Sequence, residues 1–221
     1  PALAQDATWE MRMESAAKAF GQGDDVEAES QLRAAVEQAE NFAADDPRRA
    51  SSLNALAVVY QTQGRYANAE PLFTRSLAIW EKTLGSEHSD VARSLNNLGE
   101  LYRSQGRYTD AEPLYKRSLA IWEKTLGPEH PNVGTSLNNL AALYRAQGKY
   151  ADAWQLYKRS LAIREKALRP DHPDVAATLR NYAALLREMG RDAEADRLDA
   201  RAESIRTKNG GGKPVGVGSA P

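Results

Sequence analysis

Apolar residues along this chain fall into alternating helical stripes. In the stretch SLNNLGELYRSQGRY, residues 94–108, Leu95, Leu98, Leu101 and Tyr102 recur at the three- and four-residue intervals of one helix face. A second stripe comes next, with Ala111, Leu114, Tyr115, Ser118, Leu119, Ile121 and Trp122 on one side of a helix that begins near Asp110. Gly106, between the stripes, suits the left-handed backbone that closes a helix without a Cβ penalty. Gly127 ends the second helix, and Pro128 and Pro131 punctuate the link to the next helix. Pro131 and Pro173 fit a first helical turn, where a missing N–H is no loss. Each predicted helix has about 16 to 18 residues, roughly 25 Å of rise.

The pair of stripes repeats. Gly64, Gly106, Gly148 and Gly190 are spaced 42 apart, each followed five residues later by Ala69, Ala111, Ala153 or Ala195. Tyr60, Tyr102 and Tyr144 precede the glycine by four, with Leu186 in the last copy. Whole segments match, as RSLAIWEKTLGSEH against RSLAIWEKTLGPEH and RSLAIREKALRPDH. One helical hairpin leaves a face bare, and stacking the next hairpin covers it. Small alanines such as Ala111 let two helix backbones approach. The pattern therefore predicts an all-α chain, an elongated and curved solenoid of stacked antiparallel helix hairpins.

The recurring L-x-x-L-[GA]-x-x-Y-x-x-x-G-x-Y-x-x-A-x-x-x-[FY] resembles the tetratricopeptide repeat (TPR). The 42-residue period, with LNNLA, QGKY and LGPEHP, resembles its kinesin light chain variety. The resemblance covers about residues 51–208 and implies a right-handed superhelix. Boundaries follow from the period: full repeats at 51–92, 93–134 and 135–176, and a capping repeat at 177–208. Residues 7–50 form a degenerate N-terminal hairpin, aligned through Gly23 and Ala28, whose first helix carries Met13, Ala16, Ala17 and Phe20. In the last copy Asp199 stands where Phe73, Tyr115 and Tyr157 stand, and Arg206 where Trp80 and Trp122 stand, which makes the polar outer face a cap needs. Arg169 replaces the helix-ending Gly85 and Gly127, predicting a strained or reshaped turn. The Gly- and Pro-rich residues 209–221 are expected to be a disordered tail.

Composition narrows the function classes. The net charge of −1 sets up no global field toward nucleic acid or an anionic membrane. Locally the balance is uneven, with 11 acidic and 5 basic residues in 1–50 and 19 and 24 in the remainder. No cysteine is present, which excludes disulfides, thiolate metal sites and cysteine nucleophiles. No apolar run has the length of a membrane span. Residues 1–6 are either a frayed terminus or a signal-peptide remnant, with Ala2-Leu3-Ala4 as a small-residue cleavage pattern before Gln5. The second reading, an exported periplasmic or secreted protein, is the favoured one; on the first the protein is cytoplasmic. An excess of Arg (20) over Lys (9) tilts the source toward bacteria.

Candidate chemistry is sparse. His88, His130 and His172 share one register 42 apart, and equivalent atoms of stacked units cannot converge on one ion, so each is expected to be a loop residue before a helix. Ser94, Ser118, Ser136 and Ser160 recur with the repeat, as packing and turn residues do, and no nucleophile elbow is present. No phosphate-cradling loop is found, so neither an enzyme nor a cofactor is expected. Trp80, Trp122 and the series Phe73, Tyr115, Tyr157 are placed between helices rather than on a nucleic-acid stacking platform. Trp154, at the position of Glu70 and Glu112, is a candidate exposed contact for a partner.

The polar series on the first helices is the most informative. Asn54, Asn96, Asn138 and Arg180 share one register, and Asn97, Asn139 and Asn181 the next. Arg103, Arg145 and Arg187 share a third. Asparagine is a poor mid-helix residue, so its recurrence there needs a cause. In the resembled family first helices line a concave groove, and matching Asn and basic side chains hold an extended peptide. The resemblance thus implies a non-catalytic scaffold in which amides clamp a peptide backbone and arginines grip acidic side chains or a free C-terminus. Repeat packing by the asparagines, and helix-end solvation of the arginines, are the competing readings. A separate alternative is self-assembly, with the acidic first unit stacked end to end on the basic last one.

Overall fold

The computed structural model describes residues 2–210, with side chains from residue 6 onward. Among the described residues there are ten helices and no strand: α1 (Ala2–Gly21), α2 (Asp25–Ala39), α3 (Pro47–Thr62), α4 (Tyr66–Leu84), α5 (Ser89–Ser104), α6 (Tyr108–Leu126), α7 (Pro131–Ala146), α8 (Tyr150–Ala167), α9 (Pro173–Glu188) and α10 (Asp192–Lys208). They form a TPR-type helical solenoid. The chain divides into two units inside α5, between Leu101 and Tyr102.

In the first unit, α1 pairs with α2 and α3 with α4, and α2 packs on α3. Residues 2–6 form the first turn of α1. Asp6 pairs there with Arg48 of α3, and Trp9 Nε1 donates to Ser52 Oγ at 2.7 Å. The buried face of α1 is Ala16 and Ala19; Ala17, expected inside, is exposed. Phe73 and Trp80 bury the inner side of α4, and Ser76 Oγ donates to the Ala50 carbonyl at 2.8 Å. That bond lets a polar side chain be buried between two backbones without an orphaned group.

In the second unit, α7 pairs with α8 and α9 with α10, while α6 packs on α7 and α8 on α9. Tyr115 packs with Ala111, Leu140 and Leu143. Tyr157 repeats this with Ala153, Ala141 and Leu185, and its ring stacks on Tyr182 at 6.0 Å. Ala111 and Ala153 are fully buried at these crossings, as their size requires. Ser160 Oγ donates to the Gly134 carbonyl at 2.7 Å, and the Ser118 and Ser136 hydroxyls lie 3.1 Å apart. Of the recurring serines, Ser118, Ser136 and Ser160 are buried hydrogen-bonding pegs, whereas the Ser94 hydroxyl is buried with no hydrogen-bond partner among the described residues.

Each hairpin turn is built alike. Gly106 has φ +74°, the Arg107 N–H bonds back to the Tyr102 carbonyl at 2.8 Å, and the Gly106 N–H bonds to Arg103 at 3.0 Å. These two bonds are the Schellman motif. Its usual apolar contact is replaced by a cation over a ring: the Arg107 guanidinium carbon lies 3.9 Å from the Tyr102 centroid, and Arg65 over Tyr60 does the same at 4.1 Å.

First helices open on side-chain caps. Asp46 accepts from the Arg48 N–H at 2.9 Å, and His130 and His172 Nδ1 each accept from the N–H two residues on at 3.1 Å. Pro47, Pro131 and Pro173 take the first position after these caps. The helices therefore begin about four residues ahead of the repeat boundaries drawn from the period. At Arg169 the turn is reshaped and not strained. Helix α8 stops at Ala167, Leu168 is extended, and no described non-glycine residue has positive φ. Asn209, expected in the tail, closes α10 instead and donates to the Asp171 carbonyl at 2.7 Å. Residues 211–221 of the expected tail lie outside the described residues.

Candidate functional site

The asparagine series on the first helices forms bonds from repeat to repeat. In the first unit Asn97 Nδ2 of α5 donates to Asn54 Oδ1 of α3 at 3.2 Å. In the second unit Asn181 Nδ2 of α9 donates to Asn138 Oδ1 of α7, again at 3.2 Å. Asn138 Nδ2 in turn donates to Asn139 Oδ1 at 3.2 Å. Partners are 43 residues apart, one repeat plus one residue, which brings one register of a helix against the next register of its neighbour.

Burial sorts these residues. Asn138 and Asn139 are 2% and 3% exposed and Asn96 is 6% exposed. At that depth they pack between the helices, with Asn138 bonded to both Asn139 and Asn181. Asn54, Asn97 and Asn181 are half-buried. An amide has two N–H donors and an acceptor; Asn97 and Asn181 each use one N–H in a bridge.

The arginines also diverge. Arg145 Nη1 reaches the Asn181 carbonyl at 3.5 Å and its Nε lies 3.8 Å from Glu188, so it lies across the Asn181 rung. Arg187 points to α10, where Asp196 at 2.9 Å and Asp199 at 2.5 Å hold it, and these carboxylates raise its affinity for its proton. Arg103 is half-buried near the end of α5. Arg180 is exposed on α9 and forms no ion pair among the described residues. Of the second unit's series, Arg180 and Arg187 are exposed, and Arg103, Arg145 and Asn181 are half-buried.

Trp154 is not a free surface aromatic. It is half-buried in the Tyr182 and Leu198 cluster, donates Nε1–H to the Tyr182 hydroxyl, and has Lys158 Nζ at 4.5 Å and the Arg191 guanidinium at 5.3 Å from its ring. Burial raises the Tyr182 hydroxyl above the usual phenol value. At the corresponding place one repeat earlier, Glu112 accepts from the Tyr144 hydroxyl at 3.1 Å and pairs with Lys116 at 2.7 Å. The exchange of Glu for Trp reverses the donor, with the tyrosine one turn removed. Among the described residues no three His, Asp or Glu side chains are grouped to hold a metal ion, and no helix is long and apolar enough to cross a membrane.

The two adjacent Asn registers were visible in the sequence, but their pairing from repeat to repeat was not read from it. The burial of Arg164 had no comparable signal, because its register holds buried Trp80 and Trp122 in earlier copies and the exposed Arg206 in the last.

The tetratricopeptide repeat model matches residues 12–82, 48–117, 90–166 and 142–208. No curated protein sequence matches the chain. Among solved structures, BtubC (BKLC) from P. vanneervenii is 27% identical with a TM-score of 0.75, over 96% of this chain and 85% of that one. Kinesin light chain-type, nearly identical TPR-like repeats from Podosopora anserina are 32% identical with a TM-score of 0.69, over 91% and 96% of the two chains. A Rap protein solved with competence and sporulation factor shares the fold at a TM-score of 0.80 but only 14% identity, over 91% of this chain and 54% of that one. The chain belongs to the tetratricopeptide repeat family, with repeats of the kinesin light chain-like kind.

Proposed function

We propose that this protein is a non-catalytic interaction scaffold that binds an extended peptide along its first helices. The observation that carries the reading is the half-buried amides of each unit, Asn54 bonded to Asn97 in the first and Asn181 held by the buried Asn138 in the second. Their remaining donor and acceptor groups match a peptide backbone, which offers both and whose side chains they do not read. In the second unit, the exposed Arg180 and the Arg145 that reaches the Asn181 carbonyl favour a segment with acidic side chains or a free C-terminal carboxylate. Fold-level neighbours include a Rap regulator of plasmid pLS20 in complex with its Phr* peptide, which supports peptide binding as a use of this architecture. Ordering an extended peptide is costly, so affinities of about micromolar, roughly −8 kcal/mol, are expected.

Self-assembly is the second reading, and charge alone gives it little support. Helix α1 carries three acidic and two basic residues and α10 five and four, so the two terminal helices would meet with like net charge. Selection of peptides from a random displayed library against the purified chain tests the first reading. Acidic extended peptides should emerge, and Asn97→Ala combined with Asn181→Ala should weaken them about tenfold with helical content unchanged. Binding that survives both substitutions contradicts it.

A further inference from the structure

We propose that the seam between α8 and α9 is where the second unit opens, hairpin α9–α10 undocking as one body, and that the buried guanidinium of Arg164 sets this weak point. This goes beyond the peptide-binding reading and does not depend on it.

Arg164 stands in the register of Trp80 and Trp122, which bury apolar rings. Its own side chain is just as deep, at 3% exposure. Three neutral acceptors surround it: the Asp174 carbonyl at 2.8 Å, Thr178 Oγ1 at 2.8 Å and Thr135 Oγ1 at 2.9 Å. No carboxylate among the described residues forms an ion pair with it, and its Nε has no hydrogen-bond partner. Burial accordingly lowers its affinity for its proton, against a weaker effect of the Asp174 charge.

The neighbours are fitted to this side chain. Gly134 takes the place of Ala50, Ala92 and Ala176, and a Cβ there would meet Arg164 Cγ at 3.1 Å. Thr178 takes the place of Ser52, Ser94 and Ser136. A buried charge held only by neutral dipoles is less stable than a well-packed apolar group of similar volume, and opening returns it to water. Two of its three acceptors, Asp174 and Thr178, lie on α9, so opening at α9 frees most of the guanidinium at once. Within the hairpin Val175, Ala176 and Leu179 pack with Ala202 and Ile205 of α10, which makes α9 and α10 move together, while Leu161 of α8 meets the same cluster across the seam. Opening also parts Asn181 from Asn138, so the amide rung exists only in the docked form.

Native-state hydrogen exchange on the full chain tests the proposal. In the wild type, amides of α9 and α10 should exchange as one group with lower protection than those of α7 and α8. Arg164→Met, and Arg164→Trp with Gly134→Ala, should raise α9–α10 protection tenfold or more and leave α7–α8 unchanged. Gly134→Ala alone, which crowds Arg164, should lower it. Protection of α9–α10 that is unchanged or reduced in Arg164→Met overturns the proposal. So does failure of that variant to fold, because the charge would then be a requirement of the fold and not its weak point.

Discussion

Asn181 gives a side-chain N–H to the Asn138 carbonyl oxygen at 3.2 Å, joining two first helices by side chains instead of backbone. Asn138 is the centre of this arrangement, since it also donates to Asn139. Its removal takes a bond from two amides, Asn139 and Asn181, the first of them buried, whereas removal of Asn181 takes a bond from one acceptor. Asn138→Ala should therefore destabilise the chain by about 2 kcal/mol and Asn181→Ala by about 1 kcal/mol. Urea denaturation followed by circular dichroism measures both.

The two kinds of repeat link respond oppositely to glycine. Gly127 leaves α6 at φ +88°, so Gly127→Ala should cost about 1 kcal/mol. The turn after α8 has no positive-φ residue, so Arg169→Gly should bring no stabilisation and a loss of up to about 1 kcal/mol from a freer unfolded chain. Thermal melts of the two variants against the wild type check the contrast.

Much of this fold was legible because one hairpin is written several times. The stripe Leu95, Leu98, Leu101 and the pair Tyr115 and Tyr157 are buried as their period required. The histidine caps were anticipated only as loop residues; the Pro following His130 and His172 marks the capping position. What stayed hidden was orientation. Asn139 and Asn181 share one register on the same kind of helix, yet Asn139 is buried and Asn181 only half-buried. Trp154 was misplaced for a related reason, since its partner Tyr182 moved one turn along α9 to meet it.

Tight packing at the alanine crossings predicts low tolerance for size. Ala153 is fully buried against Tyr157 and Leu185, so Ala153→Leu should destabilise by about 1 to 3 kcal/mol. Tyr157→Ala, which empties the same place, should cost about 3 to 5 kcal/mol. Denaturant midpoints at constant m-value measure each.

Acid should loosen the start of α3. Hydrogen bonds from Arg48, at 2.6 and 2.9 Å, hold the Asp46 carboxyl below the usual carboxylate range. The folded chain then binds fewer protons than the unfolded one near the ordinary aspartate value of about 3.9. This contribution is present above that value and is lost as pH falls through it toward the lowered one. Asp46→Asn, which keeps the cap but removes the charge, should flatten the acid limb of a stability-against-pH curve. An unchanged limb would mean that the pair contributes nothing.

Amides at the edge of the first helices are proposed to meet a peptide while those behind them do not. Side-chain amide resonances read this directly. In a titration with a selected acidic peptide, the Asn97 and Asn181 side-chain NH₂ signals should shift, with those of Asn138 and Asn139 shifting far less. Shifts confined to α4, α6, α8 and α10, with Asn97 and Asn181 unmoved, would contradict it.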